Sequence, residues 1–249
     1  MKKIIFYILL LSSCNSRIFA QQDSLVKVFP ESKSFSYKKL IIPGVCIAYG
    51  VASLKIPGLK QLNFSTRHEI LEDKPSRTAW DNYAQYAPAV LVYGLNAVGV
   101  KGKHNFRDRT IIYATSQLIS AGFVAPLKHL VKEERPDKSD TQSFPSGHTA
   151  TAFSSAQFMF REYKDTNLWL SLSGYTFAVF TGVYRTINNK HWVGDVVAGA
   201  GFGMLSTELA YWLYPTLNKL IPGAQKSHTT MVMPFYESKS IGIGLVKTF

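Results

Sequence analysis

Six apolar runs joined by short basic or polar loops constrain this chain more than any other feature: Leu40–Leu54, Asn82–Val100, Thr110–Leu127, Thr149–Phe160, Thr166–Tyr184 and Val193–Tyr214. None alternates apolar and polar residues as a half-buried strand does, and their lengths suit helices. The expectation is an all-α helical bundle of about six helices. No repeat, low-complexity tract or Gly/Ser-rich linker divides the 249 residues, so one domain is expected. The runs straddle the boundary between buried core helices and bilayer spans, which take roughly 20 apolar residues. Ser, Thr, Tyr, Asn and Gln recur within them, Glu208 interrupts the last, and the mean hydropathy is 0.00. Two readings stay open, a membrane-embedded bundle and a periplasmic helical one, and the first is preferred.

The first 20 residues read as a secretory leader, with Lys2 and Lys3 before an apolar stretch from Ile4 to Leu11 and an exit after Ala20. The segment LSSC, ending at Cys14, offers the alternative of a bacterial lipobox. An N-terminal extension, 21–38, then leads into a domain over 39–222 and a tail over 223–249. The tail closes on SIGIGLVKTF, which alternates like a strand; one strand builds no barrel, and the tail is read as facing the envelope. With cysteines at 14 and 46 only, no disulfide framework is expected, and Cys46 reads as a small core residue.

A formal charge of +12 calls for anionic partners. The basic residues are scattered over loops, not gathered into a stripe or arm, so nucleic acid is the weakest candidate. The loop Lys101–Arg109 carries two Lys and two Arg, which the positive-inside bias keeps cytoplasmic. A cleaved leader and six full spans conflict with that bias. They agree if Leu40–Leu54 stays out of the membrane, and the Arg135 loop then faces the periplasm.

Three short stretches carry chemistry. SFPSGHTATAF, Ser143 to Phe153, sets Ser146, Gly147 and His148 at the lip of a helix that begins near Thr149. Gly147 admits close approach, and a helix start offers free N–H groups to an anion. The plainer reading is an N-capped turn with an incidental His. KHLVKEERP places Lys128 and Arg135 seven residues apart, nearly on one helical face, before Pro136 ends the helix. Alone it also reads as a solvated, charged helix end. In YRTINNKHWVGDVVAGAG, His191 and Asp195 stand i,i+4, so an Asp can fix the imidazole tautomer, and Arg185 supplies a planar donor fork. The competing readings are a structural His–Asp pair and half of a zinc site, for which the other histidines supply no ligand pattern.

Taken together and in this order, the motifs KX6RP, PSGH and RX5HX3D resemble the three-part signature of the type 2 phosphatidic acid phosphatase family, bacterial lipid-phosphate branch, which is related to the vanadium haloperoxidases. The resemblance runs from Lys128 to Asp195. It implies a helical phosphatase that hydrolyses phosphate monoesters or pyrophosphates of membrane lipids (phosphatidate, phosphatidylglycerol phosphate, undecaprenyl pyrophosphate or lipid A) through a phosphohistidine intermediate. It further implies His191 as nucleophile, Asp195 as its orienting partner and His148 as acid and base. Lys128, Arg135, Ser146, Gly147 and Arg185 would hold the phosphate, with no metal and no cofactor. Tyr184 departs from the pattern, standing where the family usually has Ser. The expected setting is the inner membrane of a bacterial envelope, with a phosphorylated lipid as substrate and the site facing the periplasm. The alternatives are a soluble periplasmic non-specific acid phosphatase and a non-catalytic envelope interaction protein.

Overall fold

The structure, a computed structural model, describes residues 36–221, 230–237 and 240–247. The leader and the lipobox alternative at Cys14 lie outside the described residues. A 3-10 turn, Tyr37–Leu40, opens the bundle. Eight α-helices follow among the described residues: α1 Ile41–Ser53, α2 Pro57–Asp73, α3 Asp81–Ala84, α4 Ala87–Ala97, α5 Phe106–Val131, α6 Gly147–Tyr163, α7 Leu168–Ile187 and α8 Val193–Leu220. The all-α expectation holds for the domain, and the tail adds an antiparallel hairpin, β1 Thr230–Glu237 with β2 Ser240–Lys247, in register from Thr230 opposite Lys247 to Glu237 opposite Ser240.

Local chemistry sets the helix ends. Asn105 and Asn167 cap α5 and α7 by accepting the backbone N–H groups of Asp108 and Leu170. Pro57 and Pro88 sit in the first turns of α2 and α4, where a missing N–H costs nothing. The apolar run Asn82–Val100 is therefore two helices, broken ahead of Pro88. The helix α2 lies in a stretch that showed no apolar run, because its sequence, PGLKQLNFSTRHEILED, is largely polar.

Small residues on α8 allow its neighbours to approach. A Cβ on Gly199 or Gly203, one turn apart, would collide with the carbonyl oxygens of Ser146 and Ala150 on the α6 side. On another face, Gly194 lies against Ser53, Gly50 against Ala198, and Gly201 against Pro43 and Ile47. The segment Leu40–Leu54 is thus an integral bundle helix running antiparallel to α8, not one set apart from the others. Buried hydroxyls complete the seam: Ser154 Oγ meets Ser116 on α5 at 3.2 Å and Thr207 on α8 at 3.0 Å. Close backbones and hydroxyl pairs are how apolar helices associate where lipid removes the hydrophobic drive.

The outer faces remain apolar. Leu118, Leu130, Val90 and Trp169 are each more than 60% exposed, as bilayer-facing side chains are. Among the described residues one helix, α5, is long and apolar enough to cross a membrane, and the first turn with α1, taken together with α2, also qualifies, although bent by 87°. The other apolar helices found by sequence fall short of that criterion.

Candidate active site

All three motifs meet at one end of the bundle. The end of α5 brings Lys128, the α5–α6 loop brings Arg135, and the start of α6 brings Ser146, Gly147 and His148. The last turn of α7 brings Arg185, and the first of α8 brings Asp195. Helix α5 stops at Lys132, whose φ of 53° is left-handed, so Arg135 sits in the loop and not on a helical face shared with Lys128. The loop then folds on itself, with the Arg135 N–H donating to the Asp140 carbonyl and the Ser143 N–H to that of Glu133. Similarly, α7 turns through Asn189, at φ 58°, and the N–H groups of Lys190 and His191 both return to the Arg185 carbonyl. Asn is one of the few side chains that tolerates this conformation. His191 consequently lies in the loop ahead of α8, and only Asp195 of the i,i+4 pair is helical.

Backbone and side-chain bonds stitch the motifs together. The Ser146 N–H donates to the Asp195 carbonyl at 3.0 Å, Trp192 Nε1 donates to the Glu134 carbonyl at 2.8 Å, and Arg135 Nη1 reaches the Lys190 carbonyl at 3.4 Å. Ser146 caps α6, its Oγ accepting from Thr149 Oγ1 at 2.9 Å. Gly147 has room for a Cβ, the nearest atoms being Val124 Cγ1 at 3.7 Å and Lys128 Cε at 3.9 Å. Each cation is held: Lys128 Nζ donates to the Gln142 carbonyl at 2.6 Å, Arg135 Nε to Asp140 Oδ1 at 2.7 Å, and Arg185 Nη1 to Asp81 Oδ2 at 2.8 Å.

The His191 arrangement differs from the direct Asp–His hydrogen bond expected from the spacing. His191 Nδ1 lies 2.8 Å from the Ser143 carbonyl, whereas Asp195 Oδ2 is 3.8 Å away. Asp195 instead accepts from Ser143 Oγ and from the Trp192 N–H, so it reaches the imidazole through Ser143. A carbonyl can only accept, which puts the proton on Nδ1 and leaves Nε2 with its lone pair. Burial, followed by the charges of Arg185, Lys128 and Arg135, holds the His191 imidazole well below its ordinary pKa. Desolvation and Arg185 likewise push His148 down to about 4, and its Nε2 meets Asn82 Oδ1 at 2.8 Å.

Three contributors escaped the sequence reading. Asp81 and Asn82, on the short α3, pair with Arg185 and His148 across 104 and 66 residues. Ser143 stands within the quoted SFPSGH segment, but nothing in its residue type announced its carbonyl. The buried Arg185 Nε has no hydrogen-bond partner among the described residues. No group of three His, Cys, Asp or Glu able to hold a metal occurs among them either, so the zinc half-site reading gains no third ligand there. Tyr184 stacks on Phe180, ring centroids 4.4 Å apart.

Fold and site together define a class: an all-α bundle that gathers three cationic side chains, a helix N-terminus and two imidazoles at one end. Residues 109–219 match the model of the PAP2 superfamily. A lipid A 1-phosphatase of Porphyromonas gingivalis is 38% identical over 137 residues, 55% of this chain and 31% of that protein. The bacitracin transport permease protein BcrC of Bacillus licheniformis is 42% identical over 77 residues, 30% of this chain and 36% of that one. The matches thus span about a third of the length of these curated relatives. A crystal structure of a transmembrane PAP2-type phosphatidylglycerolphosphate phosphatase from Bacillus subtilis shares the fold, with a TM-score of 0.50 and 17% identity over 76% of this chain and 99% of that one.

Proposed function

We propose that the protein is a lipid-phosphate phosphatase acting through a phosphohistidine on His191. The observation that carries this reading is the tautomer: the Ser143 carbonyl fixes the Nδ1 proton and leaves Nε2 bare beside three cations. A neutral imidazole is the form a nucleophile requires. In the first step His191 Nε2 bonds to phosphorus while the ester oxygen departs with a proton from His148. In the second, His148 takes a proton from water, which displaces the imidazole and releases inorganic phosphate. Lys128, Arg135 and Arg185, with the α6 N-terminus at Ser146 and Gly147, hold the non-bridging oxygens. The unpartnered Arg185 Nε is a donor suited to one of them. Asp195, through Ser143, opposes the positive charge that His191 gains. Asp81 and Asn82 position Arg185 and His148.

The outward apolar side chains favour a substrate embedded in a bilayer over a soluble phosphate ester. The name of the Porphyromonas gingivalis relative favours a lipid A 1-phosphate among such lipids. The site faces the periplasm on this reading. Lys38 and Lys39 precede α1, and the basic loop 101–109 contacts Glu162 at the far end of α6, so both basic stretches lie opposite the site. The positive-inside bias then makes their face cytoplasmic.

The test is hydrolysis of a lipid A 1-phosphate and of a small aromatic phosphate by membranes and by purified protein, with EDTA and then with vanadate. Expected are preference for the lipid, EDTA resistance, competitive inhibition by vanadate and loss of turnover in His191→Ala. Activity lost in EDTA and restored by a divalent metal would overturn the phosphohistidine reading.

A further inference from the structure

A second cleft lies apart from the site. It is a groove of about 750 Å³ between α1, α6, α7 and α8, and none of the eight phosphate-site residues lines it. Its walls are apolar, with Val196, Ala200 and Met204 on α8 and Val179 and Val183 on α7. Its far end is basic: Lys38, Lys39, Arg161 and Lys164 stand there against one lining carboxylate, Glu208, which Arg161 engages. From Val196 to Glu208 the helix rises about 18 Å, at about 1.5 Å per residue. A single leaflet contributes half of a hydrocarbon core of about 30 Å. An apolar trough one leaflet deep, with a net positive end at the level of the membrane surface, has the dimensions and charge of a phospholipid seat.

We propose that this cleft binds an anionic diacyl phospholipid of the leaflet opposite the active site, its headgroup on the Lys38, Lys39 and Lys164 end and its chains along α7 and α8. The bound lipid is not the substrate of the phosphatase reading, because its phosphate sits at the end of the bundle away from His191. It would fill the trough beside α7 and α8, the helices that carry Arg185 and Asp195 at their other ends.

Cys46 lines the cleft and reports on its occupancy. The experiment follows the rate of N-ethylmaleimide modification at Cys46, read by peptide mass, with the full chain in detergent micelles. Dioleoylphosphatidylglycerol is expected to slow it about tenfold and dioleoylphosphatidylcholine less than twofold. The double variant Lys38→Glu/Lys164→Glu should react at the parental rate without lipid, a check on its fold, and should lose the protection by phosphatidylglycerol. His191→Ala should keep that protection, which separates this site from the catalytic one. Equal protection by both lipids would refute the charged seat, and absence of protection would refute the lipid. A Cys46 that resists the reagent before any lipid is added would refute a cleft open to lipid.

Discussion

Asp81→Asn tests whether the buried carboxylate and a bound oxyanion share Arg185. Asp81 is 1% exposed, its Oδ2 lies 2.8 Å from Arg185 Nη1, and its Oδ1 accepts from Asn188 Nδ2 at 3.3 Å. At an effective dielectric of 20, unit charges about 4 Å apart attract by about 4 kcal/mol. Breaking a buried pair by removing one partner costs about 3–5 kcal/mol. The amide keeps the shape and a hydrogen bond to the charged guanidinium, which returns about 1.5 kcal/mol. The net destabilisation is about 1.5–3.5 kcal/mol, a fall in Tm of about 3–14 °C for a domain of this size.

Ligand then discriminates. Vanadate at about 100 times its Kd stabilises the parent by about 2.7 kcal/mol. In the variant the oxyanion becomes the principal counter-charge of Arg185, so it should stabilise the variant more and close at least half of the Tm gap. The assay is thermal unfolding in detergent across a vanadate series. A gap that stays constant or widens would show that Asp81 and the oxyanion do not share Arg185, and would remove Asp81 from the site.

Ser143→Ala keeps the carbonyl that holds His191 but removes the hydroxyl on Asp195; a hydrogen bond to a charged group is worth about 1.5–3 kcal/mol, so kcat should fall about 10- to 100-fold. A loss under twofold would mean that Asp195 does not act through Ser143. Burial and then Arg185 push His148 down to about 4, so it should be neutral at pH 7 and take up a proton when a dianion binds beside it. Tungstate affinity should therefore fall as pH rises through the raised, bound-state pKa, and calorimetry in buffers of different ionisation enthalpy should show the uptake in the parent and less of it in His148→Gln. A cysteine at the exposed Ser139, on the Arg135 loop, should react with an impermeant thiol reagent in intact cells. Reaction only after permeabilisation would place the site inside and overturn the periplasmic reading.

The helices were legible where burial and lipid exposure both demand apolar residues, and α2 was not, because a polar helix carries no such signature. The hairpin was half legible: β2 alternates, whereas Pro234 within β1 removes a ladder donor and argues against a strand. The residues proposed to hold phosphate were picked out because oxyanion chemistry restricts their types, and the fold brings them to one end of the bundle. Their supports obey no such restriction. A carboxylate at the start of an apolar helix, as Asp81 is, reads first as a partner of the helix dipole. A backbone carbonyl such as that of Ser143 is supplied by any residue, so only the fold could reveal which one orients His191. What sequence cannot encode locally is the aim of each group, and here that aim depends on α3 and the Ser143 turn, both of which meet the motifs only after the chain has folded.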